Sequence, residues 1–208
     1  MARPSLLGTL AGIALAYAHF GRTFGGPRER FWHRMTTTGL TLGALALASG
    51  ERIRPRWRDL PLGLAIAAGL FAIFQIGDRK AREIMPRGNE QIKEIYALRE
   101  VRPKEEIALR LATIIGPAEE LFWRGWLQRR VGWLPASALY AGAHLVTGNA
   151  TLIGAAGVAG VYWGALAALG APMTALIVSH AAWDIWIFLV QPTEKDEAPG
   201  EVPGATSG

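Results

Sequence analysis

Two adjacent carboxylates, Glu119 and Glu120, lie more than ten residues into an otherwise apolar run, Ile107–Leu127. A second run holds Tyr140-Ala-Gly-Ala-His144, and a third holds His180-Ala-Ala-Trp-Asp184. An ionisable group in such a run costs about 2.5–3.5 kcal/mol or more in lipid, so each one marks a candidate functional site. Adjacent helical positions point apart, whereas positions four apart share a face. Glu120 and Arg124 are therefore spaced to pair, which frees Glu119 for chemistry, and His180 and Asp184 share a face. The chain has no Cys, which removes disulfides, thiolate nucleophiles and Cys-based metal sites. Of its four His, His19 sits at a span end and His33 in a basic loop, so His144 and His180 are the candidates. Ser137 and Ser179 lie near them, but small polar residues in membrane helices usually serve packing.

A water nucleophile suits this set. Either Glu119 acts as general base with a His beside it, or His144, His180 and a carboxylate (Glu119 or Asp184) hold a zinc ion whose bound water attacks. The cofactor is then none or one zinc. No His-Glu-x-x-His stretch signals zinc locally. Pro117 starts or kinks helices, and a break at Gly116-Pro117 would place both Glu residues in the first turn of a half-helix, where the dipole favours negative charge.

The elements that must position these groups are apolar. Seven stretches stand out: Leu6–Phe20, Met35–Ser49, Leu60–Ile76, Ile107–Leu127, Trp133–Thr147, Thr151–Leu169 and Met173–Val190. A spanning helix needs about 20 residues, so the first, second and fifth stretches need their flanks. The averages, 50% apolar and 19% charged, look soluble only because the charges are blocked together. A soluble bundle would lack polar surface to cover so many apolar runs. The expected fold is all-α, a polytopic transmembrane helical bundle of about seven spans. Residues 1–77 would form N-terminal transmembrane helices, 78–106 a polar or amphipathic connector, 107–190 the catalytic core and 191–208 a disordered tail. The run ending Ala16-Tyr17-Ala18 mimics a signal-cleavage site, but the spans that follow favour a retained first helix.

The net charge is +5, and eight Trp lean toward membrane interfaces rather than nucleic acid. The connector holds eight basic and seven acidic residues, with Ile84, Ile92, Ile95, Tyr96 and Leu98 at partly helical spacing. It reads equally as a solvated link or as a helix lying on the membrane surface. Seven Lys or Arg fall on one side of the spans and thirteen on the other, which favours an outside N-terminus and a cytoplasmic C-terminus.

Taken in order on separate apolar helices, Glu119-Glu120-x-x-x-Arg124, Tyr140-x-x-x-His144 and His180-x-x-x-Asp184 resemble the signature of the CPBP family, the CAAX-prenyl-protease and bacteriocin-processing intramembrane endopeptidases, also called ABI proteins. The resemblance covers about residues 103–190. It implies hydrolysis of a peptide bond in a membrane-associated protein or peptide. Glu119 and His144 would activate water, and His180 and Asp184 would stabilise the oxyanion or act as ligands. Glu120 and Arg124 would form a structural or substrate-orienting pair. Family members have been described both as metalloproteases and as metal-free glutamic proteases. Tyr140 stands where the family pattern has Phe, and Asp184 where it often has Asn. An ionised Asp cannot donate to an oxyanion, so Asp184 must be protonated, orient His180 or bind metal. The Ala/Gly/Arg-rich composition points to a high-GC bacterium and its inner membrane, and the compact chain fits the myxosortase subgroup, which removes C-terminal sorting helices. The same buried groups would also suit a transporter or channel, or a non-catalytic membrane scaffold.

Overall fold

The computed structural model describes residues 5–85 and 87–191, and among them the regular structure is helical, with no strand. The tail expected to lack structure lies outside the described residues beyond Gln191. Helix α1 spans Leu6–Phe24, capped by the Ser5 hydroxyl on the Gly8 N–H at 3.0 Å. Helix α2 spans Phe31–Ala48 and α3 Leu60–Ile84. The connector contains α4, Gly88–Tyr96. A long helix, α5, runs over residues 104–131. Helix α6 follows at Trp133–Gly142, α7 at Ala150–Ala168 and α8 at Met173–Ile185, the last continued by a wider turn to Val190.

Among the described residues, three segments are long and apolar enough to cross a membrane: Trp57–Ile84, Ala150–Ala168 and Met173–Val190. They correspond to the third, sixth and seventh apolar stretches. Helix α5 has the length, but it carries Glu119, Glu120 and Arg124 in its middle. The fifth stretch yields a helix of 10 residues, which at about 1.5 Å per residue reaches only halfway through a bilayer core of about 30 Å.

Helix α5 does not break at Gly116-Pro117. An α-helix would lose the bond from the missing Pro117 N–H. Here the preceding turn, Leu111–Ile115, widens into π geometry, and the Gly116 N–H reaches back five residues to the Leu111 carbonyl. A second π segment covers Leu121–Leu127. The helix absorbs the proline by carrying extra residues instead of stopping. The carboxylates therefore lie mid-helix, and no helix N-terminus stabilises them.

Two buried clusters flank α5. One gathers Phe20, Trp32, Leu42, Phe122, Trp123, Trp126 and Leu127 from α1, α2 and α5. The other gathers Ile66, Leu70, Trp163 and Leu176 from α3, α7 and α8. Small residues let the helices touch, as expected where lipid gives no hydrophobic drive to helix pairing. Gly39 and Gly43 of α2 face Ala118, Gly63 of α3 faces Val178, and Gly116 of α5 lies against the Ala181 backbone. That last approach brings α8 within reach of Glu120.

A side chain at Gly63 would meet Val178 at 2.7 Å and the Ala175 carbonyl at 2.9 Å, whereas one at Gly21 meets nothing within 4 Å. Gly63→Leu should therefore cost about 1–3 kcal/mol by forcing α3 from α8, while Gly21→Leu should not. Thermal unfolding of the two variants in detergent checks this.

Candidate active site

The helix ends and turns explain where each polar group points. Helix α6 stops at Gly142, so the carbonyls of its last turn lose their backbone partners. His144, on the turn that follows, supplies one: its Nδ1 lies 2.9 Å from the Tyr140 carbonyl. A carbonyl only accepts, so Nδ1 carries the proton and Nε2 keeps its lone pair. The ring is wedged among Phe20, Phe24 and Tyr140. The turn itself is tied down. Thr147 Oγ1 donates to the His144 carbonyl at 2.8 Å and accepts from Asn149 N–H at 3.1 Å, and Gly148 takes a φ of +61°. His144 is thus held by a helix end, whereas the sequence suggested a place within a span.

His180 sits on α8, buried, with carboxylates on both ring nitrogens. Its Nδ1–H donates to Glu120 Oε1 at 2.7 Å. Its Nε2 faces Glu119 Oε2 at 3.9 Å and Asp184 Oδ2 at 3.5 Å. Glu120 Oε1 also accepts from Arg124 Nη1 at 2.9 Å, the pairing that the i, i+4 spacing predicts. Glu120 is wholly buried and Arg124 nearly so, while Glu120 Oε2 and Arg124 Nη2 have no partner. The Arg124 guanidinium lies over the Tyr140 ring, 4.7 Å from its centroid.

Glu119, His144, His180 and Asp184 all line one cavity of about 370 Å³, whereas Glu120 and Arg124 stand behind its wall. The other lining residues are mostly apolar, among them Phe31, Trp32, Phe74, Ile115, Trp183 and Phe188. His19 and His33 are not part of it. The two serines are accounted for by packing. Ser137 Oγ lies 2.8 Å from both the Trp133 and the Gly160 carbonyls and shares its one proton between them, and Ser179 Oγ accepts from Trp163 Nε1 at 2.9 Å.

The connector belongs to the cavity wall. Helix α4 buries Ile92 and Tyr96 and leaves its charged side outward, and Ile92, Ile95, Tyr96 and Leu98 line the cavity. Gln91 fastens it to the start of α7: its carbonyl accepts from Asn149 Nδ2 at 2.9 Å, and its Oε1 accepts from Thr151 Oγ1 at 2.9 Å. Asn149 also caps α7 through the Leu152 N–H. Neither of the two sequence readings, a free link or a surface helix, put α4 over the site. Gln91 and Asn149 gave no signal in the sequence beyond the capping potential of Asn before an apolar run.

The donor set offers little to a metal. The Nδ1 bonds of His180 and His144 are of the kind that metal-ligating rings make and leave each Nε2 open, but among the described residues no three His, Asp or Glu side chains are arranged to hold an ion. The zinc set of His144, His180 and Glu119 or Asp184 does not assemble in this arrangement, so no step is derived through it.

No curated protein and no solved structure matches the chain. Residues 106–186 match the family model described as type II CAAX prenyl endopeptidase Rce1-like. That segment holds all three motifs and every polar group of the cavity named above, and through it the chain is similar to the CAAX-type endopeptidases.

Proposed function

We propose that this integral membrane protein hydrolyses a peptide bond in a membrane-associated protein or peptide, using water activated by Glu119 and His144. The observation that supports this most is the meeting of Glu119, His144, His180 and Asp184 on one apolar cavity. Glu119 takes a proton from water as the water oxygen attacks the scissile carbonyl carbon. The His144 Nε2 lone pair holds the water's second hydrogen. His180 donates from Nε2 to the oxyanion that develops, where a preorganised donor has most effect. Asp184, 3.5 Å from that nitrogen, orients the ring, a role open to Asp in place of Asn. When the C–N bond breaks, Glu119 returns its proton to the leaving amine. Glu120 and Arg124 hold His180 from behind.

The lining restricts the substrate. Away from Glu119, His144, His180 and Asp184 the wall is mostly apolar, and a charged residue against it would lose its water without gaining a partner, so the segment entering the cavity is mainly apolar. A C-terminal sorting or anchor segment meets that requirement. The proposed catalytic core is 107–190, supported by the helices of 1–77 and roofed by the 78–106 connector. A bacterial inner membrane is the setting that the Ala/Gly/Arg-rich composition favours.

Glu119→Gln and His144→Ala should each lower cleavage by about 10²–10⁴-fold, with insertion unchanged. The membrane proteome of Glu119→Gln cells should retain one precursor that wild-type cells process. Normal processing in those cells would overturn the proposal.

Arg124→Ala should behave differently. Removing one member of a buried pair costs about 3–5 kcal/mol, so both activity and the thermal midpoint should fall, whereas Glu119→Gln should lower activity alone. Thermal scans beside cleavage assays separate the two effects.

A further inference from the structure

Helix α7 is almost all Gly, Ala and small aliphatic residues, and Tyr162 and Trp163 are its two aromatics. Trp163 is buried and packs on both groups that Glu120 bonds. Its ring stacks on His180, with centroids 4.2 Å apart and planes within 19°. The Arg124 guanidinium lies over the same residue, 5.1 Å from the ring centroid. Its Nε1–H is spent on Ser179, the neighbour of His180 in the chain, so the indole cannot slide or flip without losing a buried hydrogen bond. The small residues beside it make this reach possible. A side chain at Gly160 would meet the Tyr140 ring at 3.1 Å, and one at Gly164 would meet Ser137 Oγ at 2.6 Å, so α7 lies tight against α6.

We propose that Trp163 is a positioning residue for the reaction, fixing the plane of the His180 imidazole by stacking on it and on Arg124. This inference rests on the peptidase reading above. The bond to Glu120 fixes Nδ1 but tolerates some swing of the ring about its Cβ–Cγ bond, and Asp184 stands 3.5 Å from Nε2, beyond hydrogen-bond length. The flat indole removes that swing and keeps Nε2 aimed between Glu119 and Asp184. A flat ring is what the role needs. The substitution Trp163→Phe would keep the stack and lose only the bond to Ser179, whereas Trp163→Leu would keep apolar bulk and lose the flat face.

The test uses full-length protein reconstituted in lipid vesicles, with the precursor identified in Glu119→Gln cells as substrate. Wild type, Glu119→Gln, Trp163→Phe and Trp163→Leu are compared for kcat, KM and thermal midpoint. Misplacement of a reacting group costs about 10²-fold. The expected result is that loss in kcat for Trp163→Leu, with KM little changed, and recovery of most of it in Trp163→Phe. Unchanged kcat in Trp163→Leu would overturn the inference, as would equal losses in both variants that follow their thermal midpoints. Full cleavage by Glu119→Gln would instead overturn the peptidase reading.

Discussion

One oxygen atom organises this protein. Glu120 Oε1 accepts from Arg124 on its own helix and from His180 on α8. A wholly buried carboxylate is costly unless its charge is met by donors of opposite or polarised character. Glu120 meets that demand with one bond along α5 and one across to α8, so the charge that makes the helix unfavourable in lipid also fixes the pairing of α5 with α8. The close approach at Gly116 and Ala181 permits the bond, and the bond in turn rewards that approach.

Around this anchor the work divides by position. Groups facing the cavity have a nitrogen or oxygen left over for a substrate or water: Nε2 of His144, the Glu119 carboxylate and Nε2 of His180. Behind the wall, Glu120 Oε1 takes bonds from Arg124 Nη1 and from Nδ1 of His180. The adjacency of Glu119 and Glu120, about 100° apart on a helix, sends one carboxylate to each side. A single helix thus supplies both a carboxylate on the cavity and the support of its His180 neighbour.

Much of this was legible in the sequence, because lipid makes polar residues conspicuous. Glu119, Glu120, Arg124, His144, His180 and Asp184 stand out against apolar neighbours, and the i, i+4 rule paired Glu120 with Arg124 correctly. Contacts that use ordinary core residues were hidden. Trp163 reads as one of eight tryptophans suited to a membrane interface, and nothing local marks its stack on His180. Gln91 and Asn149 lie in segments too polar to suggest a packed wall. Gly116-Pro117 gave the wrong expectation because proline rules describe α geometry, whereas a widened turn escapes them. His144 reads as part of a span because the apolar run continues past the point where helix α6 ends.

The widened turns have a meaning for the inheritance of the site. A π segment is, in effect, one residue added to an α-helix without interrupting it. Helix α5 carries one such slip on each side of Glu119 and Glu120. Loss of a single residue in Leu111–Ile115 would leave a good helix, but it would turn everything beyond by roughly a quarter of a rotation relative to what precedes it. The carboxylates would then leave the directions in which Glu119 meets the cavity and Glu120 meets His180. The length of this helix is therefore under a constraint that its composition does not reveal: substitutions can accumulate along it, but insertions and deletions cannot.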